Sequence, residues 1–205
     1  MILNGLVYLL LNLVIIPKTP ELLDNFVLHK LAWFSPAKGQ PMPLQSGEVV
    51  AVGDAFKPLQ LVTHFFAHIG FLHILFNMLA LFSIGTPVEL VMGSRRFLQY
   101  YLICGVLGGL LIATLDPSPN PVLGASGAVA GTAVAFALFF PQNELLIFPI
   151  PFPIKAWKLV LGYGVFSFVM VVINPVAGGI SHFAHLSGML VAVGYFFVTQ
   201  RMIRR

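Results

Sequence analysis

Gly124-Ala125-Ser126-Gly127 stands at the head of the apolar run Ala128-Val129-Ala130-Gly131-Thr132-Ala133-Val134-Ala135-Phe136-Ala137-Leu138-Phe139-Phe140. The polar turn Asp116-Pro117-Ser118-Pro119-Asn120-Pro121 comes just before it. A serine between glycines is thus placed at the first turn of an apolar helix, where backbone N–H groups have no helical partner. That is an anion-friendly position for a hydroxyl. Taken alone, Gly, Ala and Ser are also the ordinary small residues of helix contacts in membranes. Which reading holds depends on what else reaches the same depth.

The surroundings are lipid-compatible. Of 205 residues, 58% are hydrophobic and 9% charged, with a mean hydropathy of +0.93, well outside the range of a soluble domain. The chain reads as an all-α polytopic membrane protein forming one domain over 1–205. Its single cysteine, Cys104, lies in an apolar run, which excludes a disulfide framework and a thiolate metal cage. The net charge of +4 comes from few acids, and no basic cluster interleaved with aromatics points to nucleic acid.

Six spans are predicted, over about 2–16, 71–92, 97–115, 124–140, 156–173 and 182–200. The first lacks a basic leader and a small-residue cleavage site, so it reads as a retained helix. Arg95, Arg96, Lys155, Lys158, Arg201, Arg204 and Arg205 fall on one side if both termini are cytoplasmic. Lys18, Lys30, Lys38 and Lys57 then lie outside, on a long loop where charge counts for less. In that loop, 17–70, apolar Leu22, Leu23, Phe26, Leu31, Trp33 and Phe34 alternate with polar residues, as in a segment lying on the bilayer surface. The inner loop 141–155 carries prolines that forbid helix over Phe148 to Pro153, making it a semi-rigid connector. The small size and absent targeting sequence point to a bacterial inner membrane.

Polar groups inside spans are costly and are functional hypotheses by default. His73 and Asn77 share a face at the start of the second span, Ser126 opens the fourth, and His182-Phe183-Ala184-His185-Leu186-Ser187-Gly188 opens the sixth. With the topology above, all three starts meet near the external side. Helix glue alone would not require three helices to share one polar end. The set comprises a hydroxyl, an imidazole able to deprotonate it, and a second imidazole and amide able to stabilise an oxyanion, with Gly124 beside them. Gly127 and Gly131, with Gly188 and Ala192, repeat at four-residue spacing and let the fourth and sixth spans approach closely. No acid stands at an outer span end to orient His185, which suggests a Ser/His dyad. Glu89 is the only acid inside a span and sits near the inner end, with Arg95 just beyond, so both are assigned structural support.

These residues resemble the rhomboid family of intramembrane serine proteases. The carriers are Thr63-His64-Phe65-Phe66-Ala67-His68 with Gly70-Phe71-Leu72-His73 through Asn77-Met78, then Gly85-Thr86-Pro87-Val88-Glu89 through Gly93-Ser94, then Gly124 to Gly127, then Ala184-His185-Leu186-Ser187-Gly188. The resemblance implies a six-helix bundle around a water-accessible cavity that opens outward. It implies Ser126 as nucleophile, His185 as general base and acid, and His73, Asn77 and the Ser126 N–H as oxyanion donors. Substrates would be single membrane spans cut near the external face, with no cofactor and no metal. Loop 174–181 would cap the site, and spans two and five would form a lateral gate. Family members often carry an aromatic four residues after the serine, lying against the imidazole. Here that residue is Ala130, so Phe183 or another aromatic must take the place. Leu59-Gln60 replaces a common Trp-containing pair, which implies a less firmly seated first loop.

Two other readings compete. A rhomboid-like protein without chemistry would bind membrane clients and leave Ser126 and His185 idle. A metal transporter or metalloprotease would use His64, His68, His73, His182 and His185 as ligands, but no Glu follows the first histidine as the zinc-protease helix requires. His64 and His182 are expected to hydrogen-bond around the external loop. His68 is a secondary candidate, because its turn leads straight into the oxyanion helix.

Overall fold

The computed structural model describes residues 2–10, 42–43, 49–50, 56–68, 70–117, 121–146, 151–174 and 181–203. Most of loop 17–70, including the segment expected on the bilayer surface, and the expected cap 174–181, apart from its two ends, lie outside the described residues, as does the second half of the predicted first span. Within them the chain is a helical bundle. Its elements are α1 (Ile2–Leu10), β1 (Met42–Pro43), β2 (Val49–Val50), α2 (Gln60–Thr63), α3 (Phe71–Ala80), a π turn (Leu81–Gly85), α4 (Thr86–Met92), α5 (Ser94–Leu115), α6 (Ser126–Phe139), β3 (Glu144–Leu145), β4 (Ile154–Lys155), α7 (Ala156–Ile173) and α8 (His182–Ile203). Among the described residues, four helical stretches are long and apolar enough to cross a membrane: 71–92, 94–115, 156–173 and 182–199.

The second span is continuous but not uniform. Pro87 has no N–H to donate, and its ring would strike the carbonyl of residue 83 in a regular α-helix. The chain meets this with the π turn Leu81–Gly85, where the ladder widens by one residue before α4 resumes. Gly93, at φ +80°, then reverses the chain into α5, accepting a conformation that a Cβ disfavours. The inner loop is closed by antiparallel pairing of Glu144 with Lys155 and Leu145 with Ile154, and Lys155 Nζ donates to Gln142 Oε1 at 2.8 Å.

At the centre lies α6. At 14 residues it is about 21 Å long, about 9 Å short of a hydrocarbon core. It is buried from Ala128 to Thr132 and again from Val134 to Phe136, packed between α5 and α8. Small residues set those distances. A Cβ on Gly188 would collide with the Gly127 carbonyl, one on Gly127 would sit 3.0 Å from the Ala184 carbonyl, and one on Gly131 would meet Cys104 Sγ at 2.8 Å and the Gly188 carbonyl at 3.0 Å. Ala192, farther along α8, is fully buried in the same core. Fully buried Tyr100 donates its hydroxyl to the Gly131 carbonyl at 2.5 Å, tying α5 to α6 where two backbones run too close for larger side chains.

Candidate active site

The contact between Gly127 and Ala184 fixes the first turns of α6 and α8 side by side, so Ser126 and His185 each lie one residue from a point of touching helices. Ser126 is half-buried and His185 buried. Among the described residues no hydrogen bond joins the two side chains. Instead, His185 Nδ1 is engaged at 2.5 Å by the hydroxyl of Tyr163, from α7.

The turn before Ser126 is shaped by Gly124 at φ +109°. The His73 ring is pressed against it: a Cβ on Gly124 would lie 2.8 Å from Cε1 and 2.9 Å from Nε2. Both the dihedral and the packing thus require glycine. Asn77, one turn beyond His73, is buried, and its Nδ2 donates to the His73 carbonyl at 2.9 Å. That bond uses one of its two N–H protons and holds the amide on the face it shares with His73.

Loop 57–68 fastens the same turn from the other side. The Gly124 N–H donates to the His64 carbonyl at 2.8 Å, and the Ala125 N–H approaches His68 Nε2 at 3.5 Å. His68 Nδ1 faces the Phe66 carbonyl at 3.3 Å, so the neutral Nδ1–H tautomer satisfies both contacts. Burial, reinforced by the neighbouring His73, pushes His68 down to about 4. Burial likewise brings His64 to about 4, its Nδ1 donating to the Gln60 carbonyl at 2.7 Å. The His68 and His73 rings meet edge to face, with centroids 4.9 Å apart.

The loop is better seated than its sequence suggested. Leu59 is exposed, but Gln60 is fully buried and its Oε1 accepts the Lys57 N–H at 2.9 Å. Phe65 fills the notch left by Gly105 on α5, where any Cβ would strike its ring.

Two expected positions fall apart from this group. Glu89 is half-buried in α4, its carbonyl accepting the Gly93 N–H at 2.7 Å, and Arg95 is exposed at the start of α5. Among the described residues no ion pair joins them. Nor, among those residues, is there a group of three or more His, Cys, Asp or Glu side chains arranged to hold a metal ion.

Sequence reasoning missed Tyr163. The aromatic beside His185 comes from α7, with ring centroids 5.6 Å apart, and Phe166 sits edge-on to His182 at 5.4 Å. Phe183 instead packs against Ile112, Val122 and Ala184. The readable signal was a matched spacing: Tyr163 and Phe166 are three apart on one helix, as His182 and His185 are on the next.

Comparison with known proteins bears on the whole arrangement. Residues 55–202 match the Rhomboid domain family. The chain is 30% identical to the mitochondrial Rhomboid protein 1 of Saccharomyces cerevisiae over 149 residues, covering 68% of this chain and 41% of the yeast protein. It is 44% identical to Rhomboid protease GluP of Bacillus subtilis over 87 residues, 42% of this chain and 16% of that one. It is 27% identical to Inactive rhomboid-related protein 2 of Caenorhabditis elegans over 169 residues, 78% of this chain and 46% of that one. The chain therefore spans under half the length of each of these three relatives. The family match runs from before loop 57–68 to the end of α8 and so takes in every contact just described: this chain, a multi-pass helical membrane protein, belongs to the rhomboid family.

Proposed function

We propose that the protein is an intramembrane serine endopeptidase that cleaves single-span membrane proteins near the external face of the bilayer. The observation that carries this reading is the backbone contact between Gly127 and Ala184, which sets Ser126 and His185 at the same end of two touching helices while His73 abuts the turn before Ser126. α6 is also shorter than the bilayer is thick, which leaves room for a recessed site reached by water from one side.

In the proposed reaction Ser126 Oγ attacks the scissile carbonyl carbon as its proton passes to His185 Nε2. The carbonyl oxygen becomes an oxyanion, accepting hydrogen bonds from the Ser126 N–H, the His73 ring and the second Nδ2 proton of Asn77. His185 then protonates the leaving amine, the C–N bond breaks, and an ester to Ser126 remains. Water, deprotonated by the same imidazole, hydrolyses it and restores the serine. The basic residues Arg95, Arg96, Lys155, Lys158, Arg201, Arg204 and Arg205 favour a topology with both termini in the cytoplasm. The lipid bilayer is the working medium, and no nucleic acid partner is proposed.

The test is reconstitution with a model single-span substrate, alongside labelling with a fluorophosphonate. Wild-type protein is expected to cleave and to be labelled at Ser126, and Ser126→Ala and His185→Ala to do neither while remaining folded. More than trace cleavage by either variant removes the assignment. Folded wild-type protein that binds the substrate without cutting or labelling would instead identify a client-binding protein, as one inactive-type relative makes worth distinguishing.

A further inference from the structure

Tyr163 is engaged in a way that the two-residue mechanism does not account for. Its phenol oxygen lies 2.5 Å from His185 Nδ1, the ring nitrogen facing away from the role proposed for Nε2. Tyr163 is 37% exposed, yet its ring packs on His185, with centroids 5.6 Å apart. One turn along α7, on the same face, Ser167 is fully buried, and its Oγ has no hydrogen-bond partner among the described residues.

A hydrogen bond between a phenol and an imidazole can run in two directions, with opposite consequences. If Tyr163 donates to Nδ1, the neutral ring carries its proton on Nε2 and cannot accept one from Ser126. If Nδ1–H donates to the phenol oxygen, Nε2 keeps its lone pair for the serine. The second direction leaves the Tyr163 proton in need of an acceptor, since buried polar groups are rarely left unpaired. Ser167 Oγ is a buried acceptor one helical turn away, not bonded to Tyr163 as it stands, and closing that gap would give it a partner as well.

We propose that Tyr163 is the positioning residue of His185: its oxygen accepts the Nδ1–H, which holds the imidazole as a base toward Ser126, and its proton is donated to Ser167 Oγ. This deepens the protease reading and rests on it. A single tyrosine thus supplies from α7 both the ring packing that Ala130 cannot give and the orienting acceptor that an acid would give in a triad. The other ionisable groups facing His185 are His182, with a centroid 6.4 Å away, and His73.

The test uses the full chain in detergent with 15N-labelled histidine and compares wild type, Tyr163→Phe and Ser167→Ala. His185→Gln serves to assign the His185 signals. In the wild type the His185 signals are expected to report the Nδ1–H tautomer at neutral pH. Tyr163→Phe keeps the ring but removes the acceptor, and is expected to raise the Nε2–H population. It should also lower kcat about tenfold, the worth of one neutral hydrogen bond, with KM changed less than twofold. The acid limb of the pH–rate profile should move to lower pH, because the imidazolium loses an acceptor. Ser167→Ala, which leaves Tyr163 and the ring contact in place, should lower kcat about threefold and move the tautomer the same way. A wild-type Nε2–H tautomer overturns the proposal, as does a Tyr163→Phe enzyme with unchanged kcat, pH profile and tautomer. If Tyr163→Phe does not fold, unchanged tautomer and rate in Ser167→Ala overturn it. Failure of the protease reading is separate: wild-type protein would then neither cut nor label, while the tautomer still decides the role of Tyr163.

Discussion

Replacing Gly188 by alanine tests the contact on which the site depends. The new Cβ would be driven into the Gly127 carbonyl, and since both partners are backbone, no side chain can turn aside to relieve it. The helices must part, by on the order of 1 Å to restore van der Waals separation. Overpacking of this kind costs about 1–3 kcal/mol, and the absence of a yielding side chain puts it near the upper end. The alanine returns about 1 kcal/mol of helix propensity, leaving a net loss of about 2 kcal/mol. For a chain of this size that lowers the unfolding midpoint by about 4–8 °C. Gly194, on the same helix, has nothing within 4 Å of its would-be Cβ, so Gly194→Ala should be neutral or stabilising by up to about 1 kcal/mol. The assay is thermal unfolding of both variants in one detergent, with fluorophosphonate labelling of Ser126 below the transition. A displacement of about 1 Å between reacting groups can cost about 10² in rate, so Gly188→Ala should label about a hundredfold more slowly even where fully folded. If Gly188→Ala unfolds and labels like Gly194→Ala, the small-residue contact does not set the geometry and the reasoning fails.

Gly124→Ala combines a forbidden dihedral with a collision against His73, and is expected to cost about 2 kcal/mol and most of the activity. Equal thermal stability in the variant would show that the turn relaxes freely. His73→Ala and Asn77→Ala each remove one of the proposed oxyanion donors and should lower kcat by about 10²–10³, read by cleavage of the model substrate under saturating conditions. Changes confined to KM would place them in substrate binding. Both His64 and His68 lie before α3, outside the spans, and titrate near about 4 in the folded protein against about 6.5 unfolded. A lowered folded value means that their contribution is present above about pH 6.5 and is lost as pH falls through about 4, on the order of 3 kcal/mol per imidazole at the limit. Thermal midpoints measured between pH 7 and pH 4 should therefore fall, and the slope should flatten in the His64→Gln/His68→Gln variant. A flat wild-type profile contradicts the burial of these rings.

Much of the bundle was legible because lipid imposes a one-dimensional rule: apolar runs of sufficient length, broken by polar turns, become helices. The predicted spans at 71–92, 97–115, 156–173 and 182–200 coincide with helices to within a few residues at their ends. The π turn was not foreseen, although its cause was in plain view at Pro87. Hydropathy averages over a window and does not register where a helix must change its hydrogen-bond period. The glycine pairs were legible for a different reason: four-residue spacing on two segments is a local pattern, and it fell on the contact at Gly127 and Gly188. Tyr163 was not, because an aromatic in a largely apolar helix of 18 residues carries no mark of which neighbour it faces. Only the packing of α7 on α8 turns it toward His185. The seating of loop 57–68 was underrated similarly, from the tryptophan that Leu59 replaces, when the burial of Gln60 and its bond to Lys57 anchor the loop.

The backbone N–H groups around Ser126 connect these observations. The first helical bond of this region runs from the Val129 N–H to the Ala125 carbonyl, so the amides from Gly124 to Ala128 need partners outside the ladder. Loop 57–68 takes two of them, Gly124 through the His64 carbonyl and Ala125 through His68 Nε2. The donors left without a helical acceptor are those of Ser126, Gly127 and Ala128, the ones that point along the helix axis toward the place where the proposed oxyanion would form. The histidines outside the spans therefore need not touch a substrate to matter. By occupying the upstream amides they fix the orientation of the turn, and with it the direction in which the Ser126 amide and hydroxyl are presented.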